Sequence, residues 1–298
     1  MSIDALQEKI RTYKCPLALG LEPGMEDVPP QLLEGEALTP VGIAQALETY
    51  SVGVLEAAAE LVPAVKLRQA SYEAYGAPGL AALQRIAARA KELDYYVILD
   101  IGRSEDQETS VLLAQAYFGA CAWSPFDCDA VTVNGYLGTD AISPWVQAAR
   151  ERSRGLFLLS RTANRSGRQF QDLLSGDRVV HTAMLDLGLR AAGDEYEELT
   201  WSRVGAVVTP GWGVDLAQLR AKYPRTFFLL PEYGGLGATA QTLQDAFDRY
   251  GHGAIIHTPK GISAAWRKRE DDGTHYQELA AEAAQKMKKE LARALFVC

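Results

Sequence analysis

The chain has 298 residues, 48% of them hydrophobic and 23% charged, which is enough apolar material for a sizeable core in one large domain or two ordinary ones. With a formal net charge of −8 and a pI near 5.2 it has no basic block long enough to track a phosphate backbone, so nucleic acid is not expected as a partner. No run of about 18 apolar residues is present to span a bilayer, and the protein is expected in the cytoplasm.

The opening segment, "MSIDALQEKIRTYK", has the charge and spacing of an amphipathic helix over residues 3–12 rather than those of a signal peptide. Next comes a β-rich apolar run, "PLALGLE" (16–22), and then the helix-period segment "GIAQALETYSVGVLEAAAELV" (42–62). "AVKLRQ" (64–69) is followed by "GLAALQRIAARAKELD" (79–94), and "YYVILDIG" (95–102) reads as the third strand. "AVTVNG" (130–135) precedes the helical "ISPWVQAARERS", and "GLFLLSRT" (155–162) precedes "RVVHTAMLDLGLRAAG" (178–193). "VGAVVTPG" (204–211) leads into "DLAQLRAKY", and "TFFLLPEY" (226–233) into "ATAQTLQDAFDRY" (238–250). "GAIIHTPKG" (253–261) is the eighth strand, and after the mixed-charge loop "WRKREDDGTH" the helix "YQELAAEAAQKMKKELARALF" ends the pattern.

Nearly continuous apolar runs, rather than alternating ones, mark parallel strands covered on both faces. Eight strand–helix units within 298 residues predict an α/β fold, a (β/α)8 TIM barrel, with residues 1–298 forming a single domain. An open doubly wound sheet is the rival, but no Gly-x-Gly-x-x-Gly follows the first strand. Four cysteines (Cys15, Cys121, Cys128, Cys298) lack Cys-x-x-Cys spacing and a neighbouring His, so neither a disulfide framework nor a zinc site is expected.

Barrel sites form where strands end. The strand ends here offer Glu22, Lys66, Asp100, Asn134, Arg161, Thr162, Pro210, Glu232, Tyr233 and Lys260, with Glu105 close by. Glu22, Lys66, Asp100 and Glu105 make a plausible charge network, although a carboxylate and an amine at neighbouring strand ends can simply neutralise each other. Glu22, Asp100 and Glu105 are the only oxygen ligands a divalent cation would find, with Lys66 competing for them, so no metal and no cofactor are expected. His181 is expected to pack or face solvent on its helix, and His257 to lie near the mouth without an obvious acid partner. Trp212 and Tyr233 could stack on a ring, though rim packing is the default for such aromatics.

The stretches "LALGLEPGMEDVPPQLL", "VKLRQASYEAYGAPGLAAL", "SPFDCDAVTVNGYLGTDAISPW", "RTANRSGRQFQDLL", "LLPEYGGLGATAQTLQDAFD" and "GHGAIIHTPKGI" are long and specific. Through them the chain resembles the orotidine 5'-phosphate decarboxylase family, in its longer bacterial branch, over nearly its whole length. The resemblance implies a (β/α)8 barrel, a homodimer with sites at the subunit interface, and decarboxylation of orotidine 5'-phosphate to UMP in pyrimidine biosynthesis.

The resemblance also implies a site, and this chain departs from it. The family's Asp-x-Lys-x-x-Asp run, with a Thr four residues on, falls on Asp100, Gly102, Glu105 and Thr109, so the lysine is missing. The family's second-strand lysine is matched by Lys66, and the Asp after its first strand by Glu22. The phosphate-binding Gln of Pro-Gly-x-Gly-x-Gln-Gly is replaced by Leu236 within Pro231-Glu232-Tyr233-Gly234-Gly235-Leu236-Gly237, and the phosphate-binding Arg by Lys260. The pyrimidine-contacting Ser of Arg-Thr-Ser-Asn-Pro is Ala163 within Arg161-Thr162-Ala163-Asn164-Arg165.

Removing carbon dioxide from a pyrimidine C6 leaves an in-plane electron pair, which an ammonium must stabilise and then protonate. Gly102 can do neither. The expectation is therefore an impaired or non-catalytic relative in which Lys66, Asp100 and Glu105 are the remaining catalytic-type residues. Glu22, Thr109, Asn134, Thr162, Arg165, Tyr233, Gly235 and Lys260 would contact a nucleotide-like or other small anionic ligand. One alternative is an active decarboxylase that recruits a cation from Arg103, Arg165 or a partner subunit; Arg103 is expected to point away from the mouth if position 102 points in. The other is a different enzyme on the same barrel. A homodimer is expected, and pairing with an active decarboxylase subunit is open.

Overall fold

The computed structural model describes residues 2–34, 38–193, 199–211, 213–234, 238–269 and 271–295. Eight parallel strands close into a barrel: β1 Leu17–Leu21, β2 Ala64–Arg68, β3 Tyr96–Asp100, β4 Ala130–Val133, β5 Gly155–Arg161, β6 Val204–Val208, β7 Phe228–Leu230 and β8 Ala254–Thr258. Each strand pairs with the next in chain order, and β1 pairs with β8 to close the ring. The expected (β/α)8 barrel is the fold observed.

The alternation along each strand separates two apolar layers. Leu17, Leu19, Leu21, Val65, Leu67, Val97, Leu99, Val131 and Val133 face outward into the main core beneath the helices. Ala18, Ala64, Tyr96, Ile98, Ala130, Phe157, Val207, Leu229 and Ile255 fill the barrel interior. Both faces are thus apolar, which is why the strands read as unbroken hydrophobic runs. β7 is shorter than the apolar run that encodes it, because Pro231 has no N–H to continue the ladder.

The helices follow local signals. Helix Pro40–Ala58 starts on Thr39, whose hydroxyl accepts the Gly42 N–H at 3.2 Å, with proline at the first helical position. Helix Gln107–Tyr117, which its weak periodicity does not single out in the sequence, starts on Asp106, whose carboxylate accepts the Thr109 N–H at 2.9 Å. The expected helix over 238–250 is instead a single α turn, Ala240–Leu243, and a 3-10 turn, Gln244–Ala246. Beyond it the Asp248 carboxylate accepts the N–H groups of Tyr250 (2.8 Å) and His252 (2.9 Å), so side-chain turn chemistry displaces the helix. Arg178–Val179 pairs antiparallel with Leu174–Ser175, which delays the following helix to Val180–Ala192. Among the described residues no helix is long and apolar enough to cross a membrane.

Helix Ile3–Tyr13 closes the end of the barrel opposite the strand C-termini. Ile3, Leu6 and Ile10 are fully buried in the interior layer, and Ile3 lies where a side chain on Gly155 would otherwise sit. Two polar ties fix it. The Asp4 carboxylate accepts the N–H groups of Thr200 and Trp201, and Gln7 accepts that of Gly253. A Leu6→Ala substitution should lower the unfolding free energy by about 2–5 kcal/mol, as read from urea denaturation, because the packed strands around it cannot collapse into the void.

Candidate active site at the barrel mouth

The strand alternation that fills the interior also decides which polar groups meet at its open end. On β2, Lys66 and Arg68 share the inward face with Ala64; on β3, Asp100 shares it with Tyr96 and Ile98; on β4, Thr132 follows Ala130. Register places Arg68 directly opposite Asp100. Glu22, just beyond β1, completes the ring.

These groups form one connected network. The Lys66 ammonium donates to Glu22 Oε1 at 3.2 Å and makes a short contact with Asp100 Oδ2. Arg68 Nη2 lies 2.7 Å from Glu22 Oε2, and its Nε 3.8 Å from Asp100 Oδ2. The Thr132 hydroxyl donates to Asp100 Oδ1 at 2.6 Å and accepts the Gly102 N–H at 3.0 Å, tying the carboxylate to the chain that leaves β3. Burial pushes the Asp100 carboxyl upward, but Lys66, the Thr132 hydroxyl and Arg68 together reverse this and hold it below the usual carboxylate range. Glu232 behaves oppositely: burial and the nearby Glu22 charge raise its carboxyl, with Arg68 and Lys66 countering only in part.

Below this layer His257 is fully buried, its Nε2 3.4 Å from Glu22 Oε1, and neither ring nitrogen has a hydrogen-bond partner among the described residues. Burial, then the charges of Lys66 and Arg68, push the imidazole well below its ordinary value, so it is neutral despite facing a carboxylate.

Position 102 is open. Gly102 has φ +57°, a left-handed conformation that glycine adopts without penalty, and a Cβ built there would meet only Leu159 Cδ1 at 3.9 Å. Leu159 packs on the barrel-interior layer, so position 102 faces inward. Arg103 turns elsewhere, its guanidinium 3.1 Å from Glu105 and 3.5 Å from Glu73.

The remaining expected residues divide by location. Tyr233 packs on the outer side of the barrel: its hydroxyl reaches Glu290 on helix Tyr276–Ala294 at 3.3 Å, and its ring lies in the outer core. Glu232, at φ +72°, precedes it in a left-handed turn that sets its direction. Lys260 is tied to Asp27 (2.5 Å) and Glu26 (3.2 Å), with Arg267 also on Asp27, so its ammonium is already committed to pinning the turn after β1. Thr109 bonds to Asp106 at its helix start, Asn134 accepts the Tyr136 N–H, and Thr162 exchanges hydrogen bonds with Asn164 and Gln171. Arg165 is exposed on a 3-10 turn. Gly235, Leu236 and Trp212 lie outside the described residues. Arg68 and Thr132 are not singled out by their sequence positions, although the alternation Lys66-Leu67-Arg68 places both cations on one face. The Glu22 and Asp100 oxygens are engaged by cations, which leaves little for a divalent ion. Among the described residues, Asp271, Asp272 and His275 are the group spaced for a metal, on a loop before the C-terminal helix.

The titrating groups give a pH prediction. The unfolded chain protonates His257 near pH 6.5 while the folded protein resists, so stability should fall as pH drops below 6.5, by at most about 1.4 kcal/mol per pH unit. Asp100 is held below 3.8, so its contribution is present above that pH and is lost further into acid. Urea midpoints measured between pH 7.5 and 4.5 should decline for the wild type and stay flatter for His257→Gln.

Known proteins share this architecture and sequence. The profile of the Orotidine 5'-phosphate decarboxylase / HUMPS family matches residues 52–225, which include Lys66, Arg68, Asp100 and Thr132. The chain is 30% identical to an orotidine 5'-phosphate decarboxylase of Clostridium acetobutylicum, over 99% of this chain and 100% of that one. It is 29% identical to one of Rhodopirellula baltica, over 92% and 93%. Among solved structures, the Leishmania donovani OMP decarboxylase superposes with a TM-score of 0.70 at 26% identity, covering 97% of this chain and 100% of that chain. A Streptomyces avermitilis protein provisionally assigned as an orotidine 5'-phosphate decarboxylase gives a TM-score of 0.78 at 27% identity, over 97% and 94%. A closed parallel barrel, a shared sequence along nearly its full length and a charged mouth at its strand ends place this chain in the Orotidine 5'-phosphate decarboxylase / HUMPS family.

Proposed function

We propose that the barrel mouth holds a nucleotide-like anionic ligand of the orotidine 5'-phosphate class, and that the chain releases carbon dioxide from it far more slowly than relatives carrying the motif lysine. The nucleotide class comes from the relatives, which are named orotidine 5'-phosphate decarboxylases. The observation that carries the low rate is the open position at Gly102: there is room for a side chain, none is present, and Arg103 is engaged with Glu105 and Glu73.

The chemistry needs two services from one group. A cation must face the ring carbon while the carbon–carbon bond breaks, and a proton must then be delivered to that carbon. Lys66 is held between Glu22 and Asp100, with a side chain only 7% exposed. Arg68 reaches Asp100 and can supply charge, but a guanidinium does not give up its proton. That approach favours a second reading, a decarboxylase working through a recruited cation, with Arg68 rather than Arg103 or Arg165 as the recruit.

The chain is taken as one barrel domain acting in the cytoplasm as a homodimer. Exposed Val111, Leu112, Leu137, Phe170, Leu173 and Leu174 lie on segments that follow β3, β4 and β5, and support pairing through that side. Glu105 and Thr109 sit on the same side and would approach the partner's mouth, whether that partner is a second copy or an active decarboxylase subunit.

Conversion of orotidine 5'-phosphate to UMP, followed by absorbance on the pure protein, tests the reading. Turnover should lie at least about 10²–10³-fold below that of a lysine-bearing family member, the usual cost of losing one transition-state contact. Gly102→Lys should raise it, offset by about 1–2 kcal/mol for a side chain at φ +57°. Wild-type turnover equal to that of the lysine-bearing enzyme would overturn the proposal.

A further inference from the structure

Arg68 belongs to none of the motif positions carried over from the family pattern, yet it dominates the entrance to the mouth. It ends β2 opposite Asp100, on the same face as Lys66. Its side chain is 46% exposed against 7% for Lys66, so an entering ligand meets the guanidinium before the ammonium. Glu22 Oε2 holds one edge of the group at 2.7 Å, and Asp100 lies 3.8 Å from Nε.

The geometry points to Arg68 as a specificity-determining residue that recognises a planar carboxylate on the ligand, so that a carboxylated nucleotide is bound in preference to the same nucleotide without the carboxylate. The inference rests on the nucleotide reading above. A guanidinium offers parallel N–H donors matched to a carboxylate, and beside Asp100 it offsets the repulsion that Asp100 exerts on a second anion. That attraction acts on the carboxylate before carbon dioxide departs and disappears with it. It therefore strengthens the ground-state complex without lowering the barrier, opposite to the effect of an ammonium aimed at the ring carbon. The mouth then retains a carboxylate instead of expelling it.

The test is calorimetric titration of the full chain with orotidine 5'-phosphate and with UMP, the cell contents being assayed for conversion afterwards. Orotidine 5'-phosphate should bind at least about tenfold more tightly than UMP, equivalent to about 1.4 kcal/mol. Arg68→Gln should bring the ratio near one while leaving UMP affinity within a few-fold. Arg68→Lys, which keeps the charge and removes the fork, should fall between, and it carries the test should Arg68→Gln not fold. Equal affinities in the wild type, tighter UMP binding, or a ratio indifferent to both substitutions would overturn the inference. Absence of binding by either nucleotide would overturn it together with the nucleotide reading. Rapid conversion would contradict only the low turnover. The ratio is then read from KM for orotidine 5'-phosphate against the inhibition constant of UMP, and the same values support or overturn the inference.

Discussion

The contact on which the mouth depends is the buried ion network of Glu22, Lys66, Asp100 and Arg68. Glu22 is 2% exposed and Lys66 7%, so neither charge can be left to solvent. Two carboxylates and two cations balance, and every oxygen of the acids has a donor or cation beside it: Lys66 on both acids, Arg68 on Glu22, and Thr132 on Asp100. Removing Glu22 or Lys66, the buried members, costs about 3–5 kcal/mol, because the survivor keeps its desolvation penalty and loses its compensation, whereas the half-exposed Arg68 is compensated in part by solvent. A barrel without an ammonium at position 102 still needs a cation against Asp100, and β2 provides two. The lowered His257 imidazole beneath follows first from its burial and then from the charges of Lys66 and Arg68 that a protonated ring would face.

The scaffold delivers these groups by simple geometry. Period-two alternation sends 64, 66 and 68 inward on β2 and 96, 98 and 100 inward on β3, while parallel register sets Arg68 against Asp100. Thr132 on β4 spans the next gap by bonding both the Asp100 carboxylate and the Gly102 amide. The left-handed Gly102 then turns the chain away from the barrel, and Asp106 starts the next helix. One hydroxyl therefore ties the orientation of the acid to the backbone at position 102.

Much of this could be read from the amino-acid order. Parallel strands buried on both faces leave unmistakable apolar runs, so the barrel and the meeting of Glu22, Lys66 and Asp100 were legible. Arg68 was equally available from strand alternation, but a lone arginine at the end of a strand does not announce its partners until register is known. Directions set by turns were not legible. Tyr233 follows Glu232 in a left-handed conformation that no residue pattern in "PEYGG" encodes, and so it packs outward against Glu290. Lys260 also needed tertiary information, since Asp27 is 233 residues away in sequence. The helix over 238–250 failed for another reason: Asp248 offers the backbone stronger local partners than a further helical turn would.

The proposed function turns on two roles that one lysine can combine. An ammonium can neutralise a developing carbanion and then surrender a proton to it; a guanidinium can do only the first. On the function proposed above, glycine at position 102 with an arginine approaching from the neighbouring strand keeps the electrostatic balance at Asp100 without supplying a proton donor. On the same reading the exposed positive charge stands at the entrance, on Arg68, rather than at position 102. A cation so placed would favour the bound carboxylate over the carbanion, as inferred for Arg68. For that proposed chemistry, where a cation stands relative to Asp100 matters more than how many cations surround it.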